Sequence, residues 1–152
     1  MSAVPTTANL VGITGLARRL VQDGALDESD ARSAMANATE AKIPLPQWIA
    51  EKRLVTTPQL AAANAMEFGM SLIDAQAFDP THNALKLVSE ELVQKHQVLP
   101  LFKRGNKLFI GVADPTRSHS ALDELKFHTN LIVEPILVDE DQLRRTLEQW
   151  QN

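Results

Sequence analysis

The chain has 152 residues, carries a net charge of −4 and contains no cysteine. The missing cysteines exclude disulfides, thiolate metal sites and cysteine nucleophiles. Acidic and basic residues are interspersed, and their balance gives no electrostatic reason to expect a nucleic-acid partner. The first residues do not form a secretory signal, and no apolar run is long enough to span a bilayer. We therefore expect a soluble, cytoplasmic protein.

The first part of the chain, residues 10–70, is predicted to form a helical subdomain behind a flexible N-terminus of residues 1–9. Apolar residues recur there at helical spacing and predict four short helices. Gly24 is expected to end the first helix as its C′ residue, and Asp27 to cap the second. For the fourth helix, Thr57-Pro58 predicts the N-cap and the first helical residue.

The four helices form two hairpins of matching pattern, because residues 15–35 are echoed by residues 44–64, 29 positions later. Apolar residues align at this offset in three pairs: Leu20 with Ile49, Leu26 with Val55, and Ala34 with Ala63. A single hairpin cannot bury its apolar stripe alone. Each repeat must therefore pack on the other or on the rest of the chain.

The remaining residues, 71–152, are predicted to form a small α+β subdomain. A short strand over 71–74 is followed by a helix over 84–97, in which we expect Leu87, Val88 and Leu92 to be buried.

A hairpin follows over residues 98–112, with a type II′ turn at Gly105-Asn106. A helix comes next, then a last strand whose Pro135 indicates an edge or a bulge. Asp139 and Gln142 are expected to start the final helix as a capping box. The predicted fold is α+β: a bundle of four short helices in two hairpins, followed by a small α/β sandwich with an antiparallel hairpin.

No catalytic motif satisfies the required spacing. The sequence has no phosphate-binding loop, no glycine-rich dinucleotide loop, and no zinc-protease or serine-hydrolase motif. His82, His96, His119 and His128 are too widely spaced for a tight metal-ligand pattern. We therefore predict no catalytic, cofactor-binding or metal-ligating residue in this chain.

The apolar residues at the start of the first repeat are the candidate interaction site. Leu10 and Val11 have no counterpart before the second repeat, so they indicate either an exposed docking surface or additional core packing. The predicted docking residues are Leu10, Val11, Ile13, Leu16 and Leu20.

In these features the chain resembles the N-terminal domain of type IV pilus assembly (extension) ATPases of the PilB type, which are related to the MshEN-like domains of type II secretion ATPases. The resemblance covers residues 10–150 and is most specific in HQVLPL at the entry of the hairpin and GVADP at its exit. It implies a fragment that is not itself an enzyme. A motor domain that binds ATP and Mg²⁺ would follow residue 152, and the full-length protein would be hexameric.

The resemblance also implies a nucleotide site that this chain has lost. Some members of the family bind cyclic di-GMP through the paired repeats, with a motif that opens with Arg-Leu-Gly and ends in glycine. Here the first copy has GLA at residues 15–17 and keeps Gly24, whereas the second has PLP at 44–46 and Arg53. Both copies lack the arginine that would pair with phosphate. The chain is thus expected to be a scaffold that no longer binds the nucleotide and needs no cofactor.

A protein partner is the other input that the resemblance implies, because some related ATPases are controlled through a PilZ-type adaptor linked to a FimX-type cyclic di-GMP receptor. We expect a non-catalytic domain that docks such an adaptor, with its α+β half facing an inner-membrane platform protein or the motor. It would act at the cytoplasmic face of the bacterial inner membrane. A direct cyclic di-GMP sensor, a secretion rather than a pilus motor, and a small enzyme using His96, His119 or Asp114 stay open as alternatives.

Overall fold

The computed structural model describes residues 10–77, 84–116 and 118–151. The chain divides into two compact units between Gly69 and Met70, and each unit has its own buried apolar residues. The N-terminus that was predicted to be flexible, residues 1–9, lies outside the described residues. Within the described ranges, no helix has both the length and the apolar character that a membrane span requires.

Residues 10–69 contain four helices: α1 Gly15–Gln22, α2 Glu28–Ala41, α3 Leu45–Lys52 and α4 Thr57–Phe68. The predicted boundary between α1 and α2 is confirmed. Gly24 follows the C-cap of α1 with a φ of +74°, and Asp27 caps α2 because its Oδ1 accepts the Asp30 N–H at 2.7 Å. These local signals fix where the first hairpin turns.

The start of α4 differs from the prediction by one residue, since the N-cap is Thr56 and not Thr57. The Gln59 N–H donates to Thr56 Oγ1 at 3.2 Å, and the Thr56 N–H donates to Gln59 Oε1 at 3.0 Å. This reciprocal capping box satisfies two backbone donors at once. A cap at Thr57 would place Leu60 at the reciprocating position, and leucine has no acceptor.

Helix α1 is the central element of the helical unit. It contacts α2, α3 and α4, and its apolar stripe faces the core. The buried core cluster consists of Ile13, Leu16, Ala17, Leu20, Val21, Leu26, Ala31, Ile49, Leu60 and Ala63. Both repeats contribute to this one cluster, so the two hairpins pack on each other as the repeat pattern requires.

The described part of the second unit contains three strands and three α-helices in the order α5 Glu90–His96, β1 Leu99–Arg104, β2 Lys107–Val112, α6 Ser118–Thr129, β3 Ile132–Leu137 and α7 Glu140–Gln151. The sheet order is β1-β2-β3. Strands β1 and β2 are antiparallel, as predicted, whereas β2 and β3 are parallel and joined by α6. The α+β class is confirmed, while the parallel pair was not predicted.

The hairpin turn and the edge strand agree with the sequence. Gly105 has a φ of +61° in a two-residue loop between Arg104 and Lys107, as the first central position of a type II′ turn requires. Pro135 lies in β3, an edge strand of the sheet. Proline is tolerated at such an edge because it has no N–H to donate.

The predicted strand over 71–74 is wrong, because Leu72 forms only an isolated bridge to Leu137. The Ile73 N–H donates to the Leu137 carbonyl, and the Leu137 N–H donates to the Ser71 carbonyl. Alternate residues of a strand point their N–H groups the same way, so position 135 faces the same side as Leu137. Pro135 has no N–H there, and the pairing cannot extend along β3.

The predicted helix over 84–97 is also wrong in part. It is divided into a 3₁₀ turn, Leu85–Leu87, and helix α5, because Ser89 Oγ accepts the Leu92 N–H at 3.3 Å and caps a new helix. Val88 and Leu92 are buried as expected, but Leu87 is 44% exposed.

Helix α7 begins after Asp139, as predicted. The Asp139 Oδ1 accepts the N–H groups of Asp141 and Gln142 at 2.9 and 3.2 Å. The side chain of Gln142 also donates to Asp74 Oδ1 and accepts the Ala75 N–H, which joins α7 to the 3₁₀ turn Ala75–Ala77.

Asn64 on α4 is 1% exposed, and neither polar atom of its side-chain amide has a hydrogen-bond partner among the described residues. A buried unsatisfied polar group costs about 1–3 kcal/mol. We therefore expect Asn64→Leu to raise the free energy of unfolding by about 1 kcal/mol, measured by urea denaturation. Asn37→Leu on the exposed side of α2 is the control and should change it by less than about 0.5 kcal/mol. A destabilised Asn64→Leu protein would contradict this interpretation.

Candidate functional site

The five predicted docking residues occupy very different environments. Ile13 and Leu20 are 0% exposed and Leu16 is 5% exposed, so all three belong to the core of the helical unit. Leu10 is half-buried and packs on the same core. Val11 is 79% exposed. A core side chain cannot contact a partner while the unit stays folded. Of the five residues, only Val11 and the exposed part of Leu10 can therefore contact a partner.

The start of α1 is flanked by two charged side chains that the sequence pattern did not indicate. A Cβ on Gly12 would lie 3.5 Å from a guanidinium nitrogen of Arg32 on α2, and one on Gly15 would lie 3.9 Å from Glu67 Oε2 on α4. An open depression of about 520 Å³ adjoins Gly12 and is lined on α2 by Arg32, Met35, Ala36, Thr39 and Glu40. These neighbours are brought together by helix packing, which no local spacing reveals.

The two repeats keep equivalent geometry at an offset of 29 residues. Their N-caps, Asp27 and Thr56, each accept the N–H of the residue three positions later. Leu20 and Ile49 are both fully buried, and Ala34 and Ala63 are both buried as well. The repeat therefore persists in capping and packing as well as in sequence.

The positions of the implied nucleotide motif differ from it in side chains in both copies. Gly15 stands where the leading arginine belongs, and its φ of +58° is a left-handed conformation that arginine rarely adopts. Ala17 and Pro46 stand at the two glycine positions and are both buried. A Cβ thus fills each place where a ligand would need close approach to the main chain.

The closing positions of the two motif copies share a left-handed backbone. Gly24 has a φ of +74°, and Arg53, which aligns with it, has a φ of +52° at the C-cap of α3. Among the described residues, nothing lies within 4 Å of a Cβ built on Gly24. The two copies therefore share the turn geometry, although the second has arginine where the first has glycine.

A cavity of about 510 Å³ in the α+β unit is lined by charged and hydroxyl side chains, among them Lys95, His96, Asp114, Ser118 and Arg144. Most of these groups bind each other or their neighbours in the unit. Lys95 Nζ and His96 Nε2 lie 3.0 and 3.2 Å from Glu124 Oε1, and an Arg144 nitrogen lies 2.7 Å from Asp141 Oδ1.

His96, His119 and Asp114, the residues of the alternative in which this chain is a small enzyme, have structural roles or lie on the surface. Asp114 Oδ1 accepts the N–H and the hydroxyl of Thr116 at 2.8 and 2.6 Å and so fixes the turn after β2. His96 contacts Glu124, and His119 is exposed. Within the described ranges, no group of three or more His, Cys, Asp or Glu side chains could hold a metal ion. This arrangement offers no evident acid–base or nucleophilic chemistry.

The pKa of the Glu124 carboxyl is lowered from its ordinary value of 4.5, because Lys95 and then His96 form hydrogen bonds with its charged form. Such a group stabilises the folded protein above its unfolded pKa, and this contribution is lost as the pH falls through the lowered value. We expect Glu124→Gln to reduce the free energy of unfolding at neutral pH, with a difference from wild type that shrinks below pH 4.5. Urea denaturation over this pH range measures it.

Lys95→Met is the partner control for this prediction, because Lys95 makes the strongest contribution to the lowered pKa. In that background the effect of Glu124→Gln should be smaller. A difference between wild type and Glu124→Gln that stays constant down to acidic pH would contradict the assignment.

The left-handed turns predict opposite outcomes for a reciprocal pair of substitutions. Gly24→Ala should lower the free energy of unfolding by about 1–2 kcal/mol, because an L-residue at this φ is strained. Arg53→Gly should raise it by less, up to about 1 kcal/mol, because glycine also favours the unfolded chain. Thermal and urea unfolding check both, and equal signs for the two changes would contradict the backbone argument.

Comparison with known proteins gives relatives of one kind. The chain is 39% identical over 133 residues to the type IV pilus assembly ATPase PilB of Pseudomonas aeruginosa and 31% identical over 134 residues to that of Acinetobacter baylyi. Each alignment covers 88% of this chain but only 23% of the relative, so the chain spans about a quarter of these proteins.

The fold is shared with two solved domains. The structure of MshE with cdg matches with a TM-score of 0.69 and 19% identity and covers 90% of this chain and 99% of that one. The N-terminal domain of XpsE matches with a TM-score of 0.67 and 19% identity and covers 89% and 92%. The MshEN domain model matches residues 68–152, which is more than half of the chain. The chain therefore belongs to the MshEN domain family.

Proposed function

We propose that this chain is a non-catalytic regulatory domain of a type IV pilus assembly ATPase. It docks a PilZ-type adaptor and, through it, a FimX-type cyclic di-GMP receptor, so that pilus extension follows the signal without direct nucleotide binding. The PilB relatives support the pilus assignment. ATP and Mg²⁺ belong to the separate motor part of a hexameric full-length protein.

The observation that carries this proposal is the state of the two nucleotide motifs. The leading arginines are absent, a Cβ occupies both glycine positions at Ala17 and Pro46, and Gly15 has a φ of +58°. Cyclic di-GMP would thus meet neither the charge nor the close backbone approach that it needs. The packed helical scaffold is intact, which suits a surface for protein contact.

On this proposal the adaptor docks on the helical unit near Val11, the exposed member of the predicted set. The α+β unit would face an inner-membrane platform protein or the motor, at the cytoplasmic side of the bacterial inner membrane. Docking would act by favouring one arrangement of domain and motor, and its effect is limited to its differential affinity for the two. Such coupling is typically about 1–3 kcal/mol.

Direct binding of cyclic di-GMP is the alternative function. It is favoured by the shared fold with MshE, which was solved with cdg, and by Gly24, which keeps the left-handed turn of the first copy. The two functions require different features at the start of α1. Cyclic di-GMP would contact the backbone there, whereas the adaptor would contact the exposed side chains near it.

Isothermal titration calorimetry separates these two functions. We expect the purified domain to bind the PilZ-type adaptor and to give no heat with cyclic di-GMP, while the MshE domain, titrated in parallel, shows that the nucleotide is active. Nucleotide binding without adaptor binding would overturn the proposal.

Val11→Asp tests the predicted surface and should weaken adaptor binding by about tenfold, because it places a charge in an apolar contact. Phe127→Asp on α6 is the matched control, since Phe127 is 84% exposed but belongs to the other unit. Equal effects of the two substitutions would exclude Val11 as a docking residue.

A further inference from the structure

One face of the sheet carries a block of six side chains at its open hairpin end. Residues paired across strands share a face, and so do residues two apart along a strand. The register aligns Arg104 with Lys107 and Ile132, and then Phe102 with Phe109 and Glu134. We call this set the hairpin face: Phe102, Arg104, Lys107, Phe109, Ile132 and Glu134.

The contacts within the hairpin face agree with this register. The rings of Phe102 and Phe109 stack with centroids 4.7 Å apart and an interplanar angle of 21°. The Arg104 guanidinium lies 5.8 Å from the Phe102 ring centroid, and Lys107 Nζ lies 3.4 Å from Glu134 Oε1. Both phenylalanines are half-buried and Ile132 is 43% exposed. The result is an aromatic and aliphatic centre with charged residues around it.

The charge of this region is opposite to that of the whole chain. The chain has a net charge of −4, yet Lys103, Arg104 and Lys107 cluster at the hairpin end. Lys107 pairs with Glu134, whereas Lys103 and Arg104 make no ion pair with a carboxylate of the described residues. Arg104 is therefore an uncompensated cation on the hairpin face, and Lys103 follows the opposite face of the same strand.

We propose that the hairpin face is a second docking surface, which binds an acidic segment of a protein partner. This inference rests on the proposed function as a docking domain and assigns a contact chemistry to its α+β unit. Aromatic residues and arginine are enriched in the cores of protein interfaces, and the cations favour a partner of opposite charge. An apolar side chain of the partner would cover Ile132 and the edges of the two rings, while a carboxylate of the partner meets Arg104.

Two other modes of recognition fit the geometry less well. Addition of a strand at β3 is hindered, because Pro135 has no N–H and the Leu137 N–H already donates to Ser71. Insertion into a lipid surface needs an apolar residue at the tip, and the turn consists of Gly105 and Asn106.

The experiment titrates two purified probes, the PilZ-type adaptor and the cytoplasmic domain of the pilus platform protein, against matched variants. Arg104→Glu and Ile132→Ser change the hairpin face. Lys126→Glu and Phe127→Ser make the same kinds of change at exposed positions on α6. Circular dichroism and thermal unfolding establish that each variant is folded. If Arg104→Glu does not fold, Arg104→Gln replaces it.

We expect at least one probe to bind about tenfold more weakly to Arg104→Glu and to lose affinity with Ile132→Ser, with little change for the two α6 variants. Its binding to wild type should also weaken as salt is raised, because exposed charges are screened. If each probe that binds wild type binds Arg104→Glu with the same affinity, the hairpin face is not a docking surface, and the proposed function is unaffected. If neither probe binds wild type, both proposals fail.

Vesicles of phosphatidylglycerol form the third arm of the experiment. One result would overturn the proposal of a protein partner: wild type sediments with these vesicles, Arg104→Glu does not, and no protein probe binds Arg104→Glu more weakly. The cations would then bind a lipid surface.

Discussion

The burial of the apolar face of α1 is the constraint on which the helical unit depends. Ile13, Leu16 and Leu20 are enclosed by the three other helices, and both repeats contribute to the cluster around them. Because neither hairpin covers its own stripe, the pairing of the two repeats is a condition of folding. The same burial takes most of the apolar residues near the start of the chain out of contact with any partner.

The comparison of the two repeats separates what folding needs from what a ligand needs. Caps, buried positions and left-handed turns recur 29 residues apart, and Arg53 even keeps a backbone conformation that suits glycine better. At the positions that the resemblance assigns to the nucleotide, both copies lack the leading arginine and the glycine two residues later. A shared fold is therefore weak evidence for a shared ligand.

Local signals in the sequence were sufficient for most elements and insufficient for the sites. Gly24, Asp27 and Gly105-Asn106 specify turns through their own backbone preferences, and the structure places these turns as predicted. The N-cap of α4 is Thr56 and not Thr57, because only Thr56 has a glutamine three residues later whose side chain accepts its N–H. The parallel pairing of β3 and the approach of Arg32 and Glu67 to α1 depend on contacts between distant residues. Periodicity shows that Leu16 and Leu20 form a stripe, but not that other helices cover it.

The closed edge of β3 has a consequence for crowding. An open strand edge is a template for pairing with another chain. In the hexamer that we propose for the full-length protein, several copies of this domain would be held close together. Pro135 supplies no donor on the outward side, and the Leu137 N–H is already occupied by Ser71. On that side the sheet therefore resists growing into a continuous intermolecular ladder, so that high local concentration need not lead to aggregation.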